Sequence, residues 1–112
     1  MSFKSFSNIP KEDVGPGMSR RIISGDKIML VLWELKPGAK VPLHGHPHEQ
    51  VTYVLQGKAE VTVGNEKRVV GPGDVYHVPY KSNLEHEVKV LGEETFIELD
   101  IFHPIREDML KK

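Results

Sequence analysis

The chain is 112 residues long, which suits one domain over residues 1–112 and leaves little room for a second. Its 38% hydrophobic and 28% charged residues are an ordinary globular balance, and a net charge of -1 with scattered lysines and arginines gives no basic stripe for nucleic acid. No apolar run approaches the ~20 residues that span a bilayer. The opening MSFKSFSNIPKED lacks the apolar stretch of a signal peptide, so the expected location is the cytoplasm. With no cysteine, disulfides and thiolate metal sites are excluded, and any metal must be held by imidazole, carboxylate or amide groups.

In chain order, residues 1–17 read as an N-terminal arm or leading strand, residues 18–104 as a β-barrel, and residues 105–112 as a short C-terminal turn. Turn signals recur at Gly15-Pro16-Gly17, Gly25-Asp26, Pro37-Gly38, Gly64-Asn65, Gly71-Pro72-Gly73-Asp74 and Gly92. The short runs between them, rich in Val, Ile, Leu and Tyr, predict strands at 20–24, 27–36, 49–56, 58–64, 66–71, 74–78, 86–91 and 94–103. Gly64-Asn65 suits a tight hairpin, because both residues tolerate positive φ. This rhythm is that of an all-β sandwich or barrel.

Side chains alternate faces along a strand, so parity predicts burial. In the run from Lys27 to Leu35, Met29, Val31, Trp33 and Leu35 share one face and Ile28, Leu30 and Leu32 the other. Both faces want cover, and a chain this small struggles to supply it alone, which favours a homodimer over the outer sheet. The run from Thr95 to Phe102 splits into an apolar face (Thr95, Ile97, Leu99, Ile101) and a mixed one (Phe96, Glu98, Asp100, Phe102). A solvent-facing strand seldom exposes two phenylalanines beside two acids. A barrel interior holding a polar site wants that mixture, so Glu98 and Asp100 are expected inside.

Pro42-Leu43-His44-Gly45-His46-Pro47-His48-Glu49-Gln50 holds three of the six histidines. On an extended strand His44, His46, His48 and Gln50 share a parity, although Pro47 bends the path. Two imidazoles two residues apart are how a strand offers a pair of ligands to one ion, and neutral imidazole suits Zn, Ni, Cu and Fe(II). The alternative is an exposed loop whose histidines merely titrate. Glu49 has the opposite parity, while His77 and His103 are expected to pack or face solvent.

The stretch Gly38-x5-His44-x-His46-x3-Gln50-x6-Gly57 resembles the first motif of the cupin superfamily, and Gly73-x5-Pro79 with Asn83-Leu84-Glu85-His86 resembles the second. In the usual second motif the histidine follows the proline by five positions. Here it follows by seven, as if two residues were inserted within Tyr80-Lys81-Ser82-Asn83. The resemblance implies a double-stranded β-helix, the jelly-roll barrel, with one divalent transition metal ion (Zn, Ni, Mn or Fe) on His44, His46, Gln50 and His86. Most metal-binding cupins carry Glu where Gln50 stands. Three neutral imidazoles and an amide leave the ion's charge uncompensated, which favours an anionic or enolate oxygen.

From about Ile9 to Leu110 the chain is similar to the short single-domain cupins known as pectin-degradation proteins. The matching pieces are Asn8-Ile9-Pro10-Lys11-Glu12-Asp13-Val14-Gly15, His46-Pro47-His48-Glu49-Gln50-Val51-Thr52-Tyr53-Val54-Leu55 and Asp100-Ile101-Phe102-His103-Pro104-Ile105-Arg106. That resemblance implies ketonisation of a 4,5-unsaturated monouronate to a linear keto acid, with catalytic and substrate-binding roles at Asp100, Phe102 and Arg106. Asp100 would be the general acid/base, or else a partner orienting a ligand imidazole. Arg106 would clamp the sugar carboxylate in bidentate fashion, or else form a surface ion pair with Glu107 or Asp108. Rival expectations are a metal-dependent dioxygenase or decarboxylase of a small acid, and a non-catalytic barrel binding a small ligand.

Overall fold

The computed structural model describes residues 2–110, apart from the side chain of Leu43. After a 3-10 turn at Phe6–Asn8 come β1 (Glu12–Gly15), β2 (Met18–Ser24), β3 (Met29–Leu35), β4 (Lys40–His44) and β5 (Glu49–Gln56). Then follow β6 (Lys58–Val63), β7 (Glu66–Val70), β8 (Val75–Val78), β9 (His86–Leu91), β10 (Phe96–His103) and helix α1 (Glu107–Leu110). The strands form two antiparallel sheets, one ordered β1-β2-β3-β10-β5-β8 and the other β4-β9-β6-β7, in the jelly-roll arrangement. The sheets stay separate rather than closing into one hydrogen-bonded barrel.

Each of the eight expected strands is present, with ends shifted by no more than two residues. Two short strands are additional. β1 lies in the expected N-terminal arm, antiparallel to β2. β4 was not expected; its Pro42 is compatible with a strand because β4 is an edge strand, where a missing N–H costs no ladder bond. The expected Gly64-Asn65 hairpin joins β6 to β7, with Val63 opposite Glu66 and Gly64 at φ 60°. Of the C-terminal turn expected at 105–112, α1 forms the observed part, and residues 111 and 112 lie outside the described residues, as does Met1.

The chain passes from the larger sheet to the smaller one at Gly57, with φ 82°. A Cβ there would lie 2.9 Å from the Thr95 carbonyl oxygen, so a glycine is required for sign of φ and for space alike.

The interior is zoned along β10. Phe96 belongs to the larger apolar cluster with Leu35, Val54, Ala59, Val61, Val70, Val88 and Val90. Phe102 belongs to a smaller one with Met29 and Val31, backed by Ile105 and Met109. Between these two apolar ends lie Glu98 and Asp100, only 3% and 5% exposed. The mixed face of the Thr95–Phe102 run is thus the inner one.

The outer face of the larger sheet is apolar as well. Leu32, Leu99, Tyr53 and Val75 stand in one cross-strand row, and Leu30, Ile101, Val51 and His77 in the next. Tyr53, Leu55 and Val75 are exposed, and Leu30 and Leu32 half-buried.

Candidate metal centre

His44 ends β4 and His86 begins β9, opposite each other in the smaller sheet, with ring centroids 4.1 Å apart. His46 sits in the loop from β4 to β5, its ring 4.9 Å from that of His86. One ring nitrogen from each of the three lies within 4.8 Å of the others, a group that can hold a metal ion. Gln50 comes from the second residue of β5, in the other sheet, with Oε1 2.9 Å from His46 Nε2. The shared parity expected of His44, His46 and Gln50 on one strand is therefore not what unites them. The strand breaks after His44, and the residues converge from both sheets and the connecting loop.

The two buried histidines are held neutral. Burial is the chief reason that the pKa of His46 falls to about 4, with the Arg106 charge adding to it and the bond to Gln50 opposing. Burial, and then the neighbouring His44, lowers His86 to about 4 as well. Nδ1 of His44 lies 2.8 Å from the Pro42 carbonyl oxygen and Nδ1 of His86 lies 3.3 Å from that of Leu84. A carbonyl can only accept, so in both rings Nδ1 carries the proton and Nε2 offers its lone pair. Nδ1 of His46 is buried with no partner among the described residues, as is Nδ1 of His48. Three imidazoles, two of them with the far nitrogen tied to a carbonyl, beside an amide oxygen are a donor set suited to a borderline divalent ion. The residues present fit such an ion.

Facing the histidines, the larger sheet supplies a hydrogen-bonded row. Gln50 Nε2 donates to Thr52 Oγ1 (2.9 Å), and Thr52 Oγ1 donates to Asp100 Oδ1 (2.7 Å). Burial raises Asp100 to about 6, opposed mainly by its hydrogen bonds with Thr52 and Trp33. Burial, and then the charge of Asp100, raise Glu98 well above the usual carboxylate range, although Tyr76 donates its hydroxyl to Glu98 Oε2 at 2.9 Å. The Phe102 ring meets His46 edge-on, centroids 5.5 Å apart, and the Arg106 guanidinium lies over the Phe102 ring, 5.2 Å from its centroid. Arg106 donates from Nε and Nη2 to Asp108 at 3.3 and 2.7 Å, so the surface ion pair raised as an alternative does form. Arg106 nonetheless lines the same cleft of about 40 Å³ as His44, Gln50, His86, Glu98, Asp100 and Phe102.

The expected site residues thus meet at one place: all but His46 line this cleft, and His46 joins them through the histidine group and its contact with Gln50. His77 pairs with Glu49 on the exposed face, and His103 is exposed, as expected of both. Thr52 and Trp33 belong to the site but were not singled out, and Tyr76, which the sequence leaves open between the mouth of a site and an interface, lines it too. Parity with Gln50 along β5, and with Met29 and Val31 along β3, already puts the first two inside. A larger cavity, about 700 Å³, lies elsewhere, at the seam between β7 and β8, with Tyr76 the one residue common to both linings.

Residues 31–102 match the cupin domain family, and the chain belongs to it. Within that class it is 36% identical over 103 residues to the pectin degradation protein KdgF of Dickeya dadantii, a match spanning 90% of this chain and 91% of that one. The structure of KdgF from a Halomonas species superposes with a TM-score of 0.86 at 34% identity, covering 96% of this chain and 99% of that one. An RmlC-like cupin from Shewanella frigidimarina superposes at 0.88 with 30% identity, covering 97% and 96%. Oxalate decarboxylase OxdC of Bacillus subtilis is 34% identical over 79 residues, spanning 66% of this chain but 20% of the decarboxylase.

The seven-position spacing between Pro79 and His86 leaves His86 opposite His44 and gives the intervening loop a structural task. Lys81 N donates to the Pro47 carbonyl (2.6 Å), and Lys81 and Asn83 both adopt positive φ. The Asn83 carbonyl oxygen lies 2.9 Å from where a Cβ on Gly45 would stand. Gly45→Ala therefore pushes the histidine loop off its buttress. Zinc affinity, read by competition with a chromophoric chelator, is expected to fall roughly tenfold or more, the effect of disturbing the groups behind metal ligands. Wild-type affinity in that variant would contradict the buttress.

Proposed function

We propose that this cupin is a cytoplasmic metal-dependent enzyme that opens the ring of a small 4,5-unsaturated uronate from pectin or alginate breakdown, yielding a linear keto acid. The observation that carries this reading is a buried carboxyl, Asp100, in one cleft with neutral imidazoles and the Arg106 guanidinium. Near full-length similarity to a pectin degradation protein supports the substrate class. His44, His46, Gln50 and His86 hold a divalent Zn, Ni, Mn or Fe ion, which when bound supplies Lewis-acid polarisation of a substrate oxygen.

The remaining work falls to the chain. Asp108 occupies the Nε–Nη2 edge of Arg106 and leaves Nη1 for the sugar carboxylate. Phe102 gives the sugar ring an apolar floor. Asp100 takes the proton of the hemiacetal hydroxyl as the ring C–O bond breaks, and the electron pair stays on the ring oxygen. Return of a proton to the alkene carbon then gives the ketone. A sugar acid needs more room than about 40 Å³, so the cleft must widen on binding.

The similarity to oxalate decarboxylase favours one second reading, decarboxylation or dioxygenation of a small acid. Incubating unsaturated galacturonate with protein reconstituted with each metal separates the two. Loss of the alkene absorbance faster than the spontaneous rate is expected, and no acceleration with any metal would sink the ring-opening reading. Asp100→Asn is expected to lower kcat about 100-fold or more with metal content unchanged. Arg106→Ala should raise KM roughly tenfold or more through the lost charge-assisted bonds. Full activity in Asp100→Asn would remove that residue from the mechanism.

The apolar outer rows of the larger sheet belong to the same proposal, as the interface of a homodimer. Tyr53 on β5 and Val75 on the edge strand β8 stand exposed in it. Analytical ultracentrifugation is expected to give a dimer for the wild type and a monomer for Tyr53→Glu/Val75→Glu. A monomeric wild type at micromolar concentration would contradict it.

A further inference from the structure

Ring opening with ketonisation moves two protons: one leaves a hydroxyl and one arrives at carbon. Asp100 accounts for the first. The cleft contains a second carboxyl that the mechanism above leaves unused. Glu98 is 3% exposed, and it shares the cleft lining with Asp100, His44, Gln50 and His86. It stands two residues from Asp100 on the inner face of β10. Two carboxylates in one dry cleft repel, so one of them keeps its proton at neutral pH.

The surroundings decide which. Asp100 accepts from Thr52 and has Trp33 and the Arg106 charge to favour its ionised form. Glu98 accepts only from Tyr76 among the described residues and has no cation paired with it. The other polar groups of the cleft come from every wall: Trp33 on β3, His44 on β4, Gln50 on β5, Tyr76 on β8, His86 on β9, and Arg106 after β10. Burial pushes Glu98 well above the ordinary carboxylate range, whereas Asp100 rises to about 6. A buried acid with no cation is a costly way to support Tyr76, since an amide would accept the same bond without a titratable group.

We propose that Glu98 is a second catalytic residue, the acid that delivers the proton to the alkene carbon while Asp100 takes the one leaving the hemiacetal hydroxyl. The inference rests on the ring-opening reading. The hydroxyl O–H pair becomes the new aldehyde C=O bond and the ring C–O bond breaks. The ring oxygen's electrons form the ketone C=O as the alkene pair captures the proton of Glu98. Asp100 ends protonated and Glu98 ionised, and transfer of one proton from Asp100 to Glu98, through water admitted on product release, restores both. No other reactant is consumed.

The test compares metal-loaded wild type, Glu98→Gln and Glu98→Asp on unsaturated galacturonate, reading kcat, KM, metal per chain and Tm. Glu98→Gln keeps an acceptor for Tyr76, so metal content and Tm are expected to match or exceed the wild type and KM to stay within about twofold. Its kcat is expected to fall about 100-fold, the usual share of a general acid, and Glu98→Asp, which restores a carboxyl, to regain part of that loss. Wild-type kcat in Glu98→Gln would overturn the proposal. So would a kcat loss that tracks metal or Tm, or a Glu98→Asp no faster than Glu98→Gln. An inert wild type would instead overturn the ring-opening reading, and this inference with it.

Discussion

The interior of this sandwich is organised by the alternation of β10, which sends Phe96, Glu98, Asp100 and Phe102 to one side and Ile97, Leu99 and Ile101 to the other. A strand buried on its inner face normally fills that face with hydrocarbon, because an unpaired carboxyl there costs several kcal/mol. Here the two phenylalanines anchor the strand at either end, each in its own apolar cluster. The gap between the clusters is given to two acids. Everything polar in the site is arranged around that gap: Thr52 and Trp33 from the flanking strands, Tyr76 from the far edge, and the histidines from the opposite sheet.

The histidine wall and the carboxyl wall have complementary electrostatics. Burial favours neutral imidazole at His46 and His86, and the same burial favours neutral carboxyl at Glu98 and Asp100. Their effects on stability without metal run in opposite directions with pH. The histidine contribution is present above the ordinary value of 6.5 and is lost as pH falls toward about 4. The Asp100 contribution is present below 3.8 and is lost as pH rises through about 6. Around neutrality His46 and His86 are therefore neutral, while Asp100, above its value of about 6, is the ionised group of the carboxyl wall. None of the four groups that could hold an ion, His44, His46, Gln50 and His86, is a carboxylate, and Arg106 lines the same cleft.

Much of this was legible in the sequence, for definite reasons. Strand period alone put Glu98, Asp100 and Phe102 inside, because a surface strand has no use for that mixture of side chains. Residue type and spacing brought out His44 and His46, and the resemblance to the second cupin motif brought out His86 across a loop two residues longer than usual. Other features were out of reach. No strand was expected at β4, whose Pro42 is compatible with a strand only at an edge, and edges are set by the whole sheet. Parity along one strand could not show that His44 and Gln50 come from different sheets. The pairing of Arg106 with Asp108 was one of two outcomes that local sequence allows equally, and side-chain packing decided between them.

The central claim is that three imidazoles from the smaller sheet and its exit loop, with one amide from the larger sheet, hold a single ion facing Asp100. The most direct measurement is an anomalous-difference map from crystals grown with zinc and recorded at its absorption edge. One peak per chain, about 2.1 Å from a ring nitrogen of each of His44, His46 and His86, is the result this account predicts. No peak there, or an ion held by other side chains, would contradict it.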